Sequence, residues 1–246
     1  TELLTVGGEN VSAFVGVNGP SDSGYAMGFS LSGANFALAL FSGEVDSTAV
    51  SWTSLQASAS NFSVVGVPGL VVSGDTLAVA INRFNSTVDG RDSADLVIDY
   101  TTTDLTVATG PTNSITLDMD GAKGNLTQAS GNLTLSIADF FSVSGGFGFE
   151  QSRGTVTLAD GRLVDADLLL IGATGVDAFA GLNGGTDDQL GLALKKGDLA
   201  LALVADRTNP GWRWMALQAG AEEISFVGID GFTLLGKGLL VEINRN

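Results

Sequence analysis

The chain has 246 residues and a formal net charge of −16, from 27 acidic and 11 basic side chains, and it contains neither cysteine nor histidine. This charge argues against nucleic acid and anionic membrane surfaces as partners, because their phosphates would be repelled. The missing residue types exclude disulfides and thiolate chemistry, as well as the commonest general base and transition-metal ligand. Catalysis by carboxylates, as in glycoside hydrolysis, stays open as an alternative.

Short runs with apolar residues at alternate positions follow one another along the whole chain. In chain order they include FALALF, LVIDY, SITLDM, NLTLSI, GFGFE, TVTLA, LALALVA and LLVEI. A period of two predicts β-strands. Segments rich in Gly, Asp and Asn separate these runs and predict turns. They are NGPSDSG, SGAN, DGR, MDGAKG, ASGN, ADGR, NGGTDD, KKGD and DRTNPG.

Two of the turn segments have the length of a hairpin loop. VTL-ADGR-LVDADLLL and LGLAL-KKGD-LALALV therefore predict antiparallel hairpins. Only SWTSLQASAS and WRWMALQAGAEE have a composition that a helix would accept, and we favour a strand or a short turn of helix in these segments. The expected helix content is very low. No run of 18 apolar residues lacks a polar interruption, so no membrane-spanning helix is expected.

The first third of the chain is repeated in the last third. Four blocks recur in the same order at offsets of 165, 163, 162 and 162 residues: 2–19 with 167–184, 35–43 with 198–206, 51–59 with 213–221, and 64–83 with 226–245. The blocks include the phrase AFxGxNG, the LALAL run and the closing INR. Conserved order at a nearly constant offset indicates a duplicated module rather than low complexity.

This repeat predicts three modules and an elongated fold. Module A covers residues 1–90, a divergent module B covers 91–165, and module A′ covers 166–246. Module B is suggested by the likeness of DGRDSADLVIDY to DGRLVDADLLLIG. The fold class expected is all-β, with mainly antiparallel sheets, sandwich-like or continuous, stacked module on module. A parallel β-solenoid is the alternative. The chain has no visible signal peptide and does not begin with Met, so we expect it to be a piece of a longer protein.

The LALALVAD segment raises a question about what covers its strand. In a strand, all its leucines point to one face and its alanines to the other. Both faces are then apolar, which predicts cover on both sides, or a narrow interior on one. Tandem modules that stack would also satisfy the edge strands of their neighbours.

Asp118 and Asp120, in LDMDGAKGN, are the candidate ligands of a metal ion. Hard cations such as calcium prefer clustered carboxylates on a glycine-bent turn. The segment departs from the EF-hand pattern because Gly121 directly follows the second aspartate. A turn with two solvated aspartates is the interpretation we favour, and no other cofactor is expected.

Trp212 and Trp214 are the candidate ligand-binding residues, since alternate aromatic residues on one strand face can stack on sugar rings. Trp52 aligns with Trp214, whereas Val50 aligns with Trp212. A shared core tryptophan beside an extra surface one is the simpler reading. Asn18 and Asn183 also recur between the copies, as do Asn82-Arg83 and Asn244-Arg245; we interpret the asparagines as turn residues and the arginines as partners of neighbouring carboxylates.

The phrases AFxGxNG, LALAL, VSGGFGFE and VEINR resemble tandem modules of very large bacterial surface or secreted proteins of the adhesin kind. This resemblance implies an extracellular or cell-surface location and a non-catalytic, structural role as a spacer, stalk or fibre. The partners it implies are neighbouring repeats of the same protein, including self-assembly into a fibre. A calcium- or glycan-binding module is the alternative function, and a carboxylate glycoside hydrolase is the third.

Overall fold

A computed structural model of the chain describes residues 2–88, 90–209 and 211–246. The fold is all-β and elongated, with 70% strand and 3% helix. The expected fold class is therefore confirmed, and the strand is the correct alternative for SWTSLQASAS and WRWMALQAGAEE. Among the described residues, no helix has the length and apolarity needed to span a bilayer.

Ten strands form one sheet in which every strand pairs with the next one along the sheet. All of the pairings are antiparallel, which favours the continuous sheet over the parallel solenoid. The strands of the large sheet are β1 (Glu2–Val17), β2 (Met27–Val45), β3 (Thr48–Val65), β4 (Leu70–Phe84), β7 (Leu126–Ile137), β8 (Phe141–Thr157), β9 (Leu163–Leu182), β10 (Leu190–Asp206), β11 (Arg213–Val227) and β12 (Leu234–Arg245).

The repeated blocks occupy equivalent strands of this sheet. Strands β1–β4 carry the first copy and β9–β12 carry the second, with β7 and β8 between them. The division into modules A, B and A′ stays a prediction.

Between β4 and β7, the described residues 85–88 and 90–125 form a separate layer, and we call the segment 85–125 the insertion. It contains a two-stranded hairpin, β5 (Leu105–Ala108) and β6 (Ser114–Leu117), flanked by 3-10 turns at Ser93–Leu96 and Gly121–Lys123. The hairpin packs on one face of the sheet, which we call the front face. The main buried cluster of the described residues lies between the insertion and this face: Ala37, Ala39, Tyr100, Val107, Leu117, Met119 and Leu126.

Three segments predicted to be turns lie inside strands instead. SGAN lies in β2, ASGN in β7 and KKGD in β10, so the predicted hairpin at KKGD is wrong. β10 continues through Lys196, which has a φ of 48°, as a bulge with register shifts on both sides of Gly197. A residue with positive φ inside a strand produces a bulge as readily as a turn. The hairpin at ADGR is confirmed, because Thr157 pairs with Leu163.

These irregularities cross the sheet as a band. Strands β1, β2, β4, β9 and β10 each contain a residue with positive φ near mid-strand: Asn10, Gly33, Thr76, Gly175 and Lys196. Side chains of the neighbouring strands cap this band. Asn35 Oδ1 accepts from the Asn10 amide at 3.0 Å in the first copy, and Asp198 Oδ1 accepts from the equivalent Gly175 amide at 3.0 Å in the second.

The LALAL strands are covered on one face in the first copy alone, which differs from the cover expected on both faces. Ala37 and Ala39 are completely buried beneath the insertion, whereas Leu40, on the opposite face, is 37% exposed. The alanine face of the strand therefore packs against the insertion, because small alanine side chains let a second backbone approach closely. Asp89 of the first DGR segment and Pro210 of DRTNPG lie outside the described residues.

Candidate functional site

The register of the sheet builds two equivalent surfaces on the front face, which we call the first and second platforms. In the first, one row of partners across β1–β4 joins Gly7, Ala37, Gln56 and Ala80, and the next row joins Thr5, Ala39, Ser54 and Asn82. In the second, across β9–β12, the rows are Gly172, Ala200, Gln218 and Glu242, and Leu170, Ala202, Ala216 and Asn244.

A buried polar network fixes the insertion to the first platform. The Tyr100 hydroxyl donates to Ser54 Oγ at 2.7 Å, and Ser54 Oγ donates to Asn82 Oδ1 at 3.1 Å. Asn82 Nδ2 donates to the carbonyl of Ile98 at 2.7 Å. Burial raises the pKa of Tyr100, and the hydrogen bond to Ser54 partly opposes this increase. The phenol is therefore neutral at pH 7 and serves as a structural donor.

Trp52 extends the network toward the end of the sheet. Its Nε1 donates to the carbonyl of Leu96 at 2.6 Å, and its ring lies 5.5 Å from that of Phe84. Val50 and Phe84 form a second buried cluster there with Val88 of the insertion. The tryptophan shared by both copies is thus a docking residue for the insertion in the first copy.

The absence of a side chain at Gly7 is required for this docking. A Cβ built on Gly7 would overlap the carbonyl oxygen of Ala108, in β5. On Gly172, the equivalent residue of the second platform, the nearest non-neighbouring atom to such a Cβ is the Leu199 carbonyl oxygen at 3.8 Å. The same glycine is therefore closely covered in one copy and open in the other.

The second platform faces an open groove. Ala200 is exposed, although its counterpart Ala37 is completely buried. Two adjacent cavities lie over the platform. One, of about 720 Å³, is lined by the residues of both rows and the backbone between them, and the other, of about 830 Å³, is lined by Leu168, Val204 and Trp214. The larger cavity is also lined by Asp92, Ser93 and Ala94, at the edge of the insertion.

Arginines line the larger cavity in an otherwise strongly acidic chain. They are Arg153, Arg207, Arg213 and Arg245. Arg207 forms an ion pair with Asp92 of the insertion, and its guanidinium also approaches Asp165 Oδ2 at 3.2 Å and Asp167 Oδ1 at 3.4 Å. Burial and the neighbouring Asp165 raise the pKa of Asp167, while Arg153 opposes the increase. These ion pairs connect the insertion to β9.

Trp212 and Trp214 are brought together, but not as a flat surface. Their ring centroids are 6.5 Å apart and their planes meet at 88°, so the two rings cannot both lie parallel to one sugar ring. Trp212 is 47% exposed, and the Arg162 guanidinium lies 5.6 Å from the centre of its ring. Val50, the counterpart of Trp212, is buried beneath the insertion. Trp214 therefore lines the open groove, and the ring of Trp212 lies next to it.

Asp118 and Asp120 lie on either side of the buried Met119, and their side chains have different neighbours. Asp120 Oδ1 accepts from the Ala122 amide at 2.8 Å, which caps the second 3-10 turn. Asp118 lines a cavity of about 390 Å³ with Gln56 and Gln128. Among the described residues, no group of three or more acidic side chains is arranged to hold a metal ion. A calcium site at these two aspartates stays a prediction.

Asn18 and its counterpart Asn183 have equivalent structural partners in the two copies. Asn18 Nδ2 donates to the carbonyl of Tyr25 and Asn183 Nδ2 to that of Asp188, at 3.2 and 3.4 Å, and both asparagines have a φ of 55°. Their interpretation as turn residues is confirmed, whereas the same interpretation is wrong for Asn82 and Asn244, which lie within β4 and β12. Arg83 differs from expectation, since it donates to the Thr127 hydroxyl.

Sequence reasoning missed the two platforms because their residues are ordinary when read singly. Gly7, Ala37 and Ser54 lie on three different strands, and the signal that joins them is the repeat itself. Aligning the four blocks shows that small residues recur at Gly7/Gly172 and Ala37/Ala200, while Ser54 becomes Ala216. Comparisons of the chain with protein-family models, with curated proteins and with solved structures gave no match.

Proposed function

We propose that this chain is a non-catalytic structural segment of a large repeat protein, with strands that continue a long antiparallel sheet. The observation that carries the proposal is the duplication of one four-strand pattern within a single uninterrupted sheet. Location at the bacterial surface or outside the cell is part of the proposal and comes from the resemblance to adhesin-like repeats.

The two outer strands support growth of the sheet by addition of copies. β1 and β12 lie at opposite edges, with 16 and 12 residues. Successive strands alternate in direction, so the first and tenth strands run in opposite directions. β12 of one copy and β1 of the next would thus be antiparallel neighbours, like all other neighbours in the sheet. A head-to-tail contact of this kind produces a filament when its rotation does not close a ring.

Electron microscopy of the protein from its natural source tests this proposal. Strands lie about 4.8 Å apart, so ten strands extend a filament by about 48 Å per chain. The six strand steps from β1 to β9 produce a repeat of about 29 Å by the same spacing. Filaments or rods with these axial repeats would support the structural role. Isolated particles that turn over a substrate would contradict it.

A second candidate function is glycan binding at Trp212, favoured by the exposure of its ring beside Arg162. A glycan array with the whole chain tests it, with Trp212→Ala as the variant and Tyr25→Ala, on an exposed loop, as the matched control. Binding that is lost in the first variant and retained in the second would support this function. An array without signal would reject it.

A further inference from the structure

The two platforms are equivalent in backbone and in most of their side chains, and one of them is covered. In the first platform, Gly7, Ala37 and Ala39 lie beneath the insertion. Asn82 and the neighbouring Trp52 donate hydrogen bonds to the insertion. Their counterparts on the second platform are Gly172, Ala200, Ala202, Trp214 and Asn244. Two copies of one surface, of which one is occupied, indicate what the other accepts.

We propose that the second platform binds a covering segment of the same kind as residues 85–125. The occupant is an antiparallel hairpin between short turns, with an apolar inner side and two carbonyl groups directed at the sheet. These carbonyls would accept from Trp214 and Asn244, as those of Leu96 and Ile98 accept from Trp52 and Asn82. The inference depends on the duplicated sheet and does not depend on filament formation.

The size and position of the open groove agree with this occupant. The two adjacent cavities, of about 720 and 830 Å³, lie over the positions that correspond to the two buried clusters of the first platform. The larger cavity is bounded on one side by Asp92, Ser93 and Ala94 of the insertion. A second covering segment would therefore continue the existing layer, with its edge against the first.

The rows of the two platforms differ at three positions, one of which is Thr5 against Leu170, and the other two specify how the second covering segment differs from the first. Ser54 is replaced by Ala216, so a hydroxyl at the position of Tyr100 would lose its partner. Ala80 is replaced by Glu242, which places a carboxylate near the position that Ile115 occupies over the first platform. The occupant of the second platform therefore carries an apolar residue at the first position and a basic residue at the second.

The test is a variant chain that carries a second copy of residues 85–125 directly after Asn246, the counterpart of Phe84. The appended copy is made in two forms, as it stands and with Tyr100→Phe and Ile115→Lys. Neither form contains tryptophan, and Trp52 is the same in every chain, so fluorescence changes report on Trp212 and Trp214. We expect blue-shifted emission and a several-fold fall in acrylamide quenching, larger for the adapted form.

Gly172→Ala is the control that ties the shielding to the platform. In the extended chain its methyl group would meet the appended hairpin, as a Cβ on Gly7 would meet Ala108. We expect this substitution to restore the quenching there and to leave the unextended chain unchanged. Unchanged quenching in an extended chain that circular dichroism shows to be folded would overturn the proposal. So would an unextended chain whose tryptophans become shielded on dimerisation, because a second copy would then be the occupant.

Discussion

Tyr100 is the residue through which the insertion and the sheet are most directly joined. Its hydroxyl donates to Ser54, and the bond is shielded from water by the apolar cluster around Ala37 and Leu117. A buried donor and its acceptor depend on each other, because either one left alone retains its desolvation cost. The chain contains one other tyrosine, Tyr25, which is 85% exposed and serves as a natural comparison.

We predict that Tyr100→Phe lowers the free energy of unfolding by about 1–2 kcal/mol, because Ser54 Oγ loses its donor in a buried site. Tyr25→Phe is expected to leave it unchanged. Urea unfolding followed by circular dichroism measures both variants. Equal stability of the two variants would show that the network does not hold the insertion.

Asp198 caps the band of bulges in the second copy, where the first copy uses Asn35. Its hydrogen bonds from the Gly175 amide and the Thr174 hydroxyl hold the pKa of this carboxyl below its usual value. A folded-state pKa below the unfolded one stabilises the protein above the unfolded pKa of about 3.9. That contribution is lost as the pH falls through the folded-state value.

We predict that Asp198→Asn retains the bulge and removes this part of the acid sensitivity, because an amide oxygen accepts the same bonds without titrating, as Asn35 does. Asp198→Ala is expected to be less stable at pH 7 and to converge with the wild type at low pH. Urea unfolding from pH 2 to pH 7 measures the three proteins. An acid sensitivity that persists undiminished in Asp198→Asn would assign it to other carboxylates.

At the level of elements, alternation identified the strands, but not their length. The all-β class and the ADGR hairpin follow from local pattern. KKGD and SGAN were misleading because a glycine or a lysine with positive φ serves a turn and a bulge equally well. What distinguishes the two is the partner strand: β9 and β11 continue past Lys196 on both sides, so β10 continues too. That information is not local in sequence.

For a related reason, the alternating pattern of the sequence does not predict the insertion. Its strand-like runs LVIDY and SITLDM alternate like those of the sheet, although LVIDY lies outside any strand and SITL belongs to the small hairpin. The choice between a sheet strand and a covering hairpin is made by what lies beneath, namely Gly7 and the alanines of β2. The two platforms are recognised when the alignment of the repeated blocks is combined with the register of the strands.

A glycine-to-alanine substitution is expected to affect the free energy of unfolding differently on the covered first platform and on the open second platform. Gly7→Ala places a methyl group against the Ala108 carbonyl, and we expect a loss of about 1–3 kcal/mol in the free energy of unfolding, as for other overpacked sites. The methyl group of Gly172→Ala would meet only the Leu199 carbonyl oxygen, at an ordinary contact distance of 3.8 Å, and we expect a change within about 0.5 kcal/mol. Chemical denaturation of the two variants measures the difference. Equal effects would show that the two platforms are covered alike.

At the level of the whole molecule, the sheet is largely a single layer, and its stability is local. Every strand of the ten contacts its sequence neighbours, and the insertion adds a second layer over one end. In such an arrangement, each outer strand has one edge that could pair with a further strand. Its outer strands offer unpaired backbone groups, which soluble proteins usually protect with charges or bulges. β12 carries charged residues and a glycine with positive φ, Gly238, but it also exposes Leu239, Leu240 and Val241.

We predict that Leu240→Lys prevents head-to-tail assembly without unfolding the chain. Leu240 lies on the edge strand β12 and is 61% exposed, so a lysine there loses little packing within one copy. A lysine on the edge strand places a charge beside the strand that docks, and natural edge strands use such charges to oppose growth of the sheet. Tyr25→Lys, on an exposed loop away from both edges, is the matched control.

Negative-stain microscopy and sedimentation velocity at increasing protein concentration measure this assembly, and circular dichroism checks the fold. We expect long particles for the wild type and the Tyr25→Lys control, and single copies for Leu240→Lys. Filaments that persist in Leu240→Lys would place the growth contact elsewhere, with the exposed apolar faces of the sheet as the remaining surface.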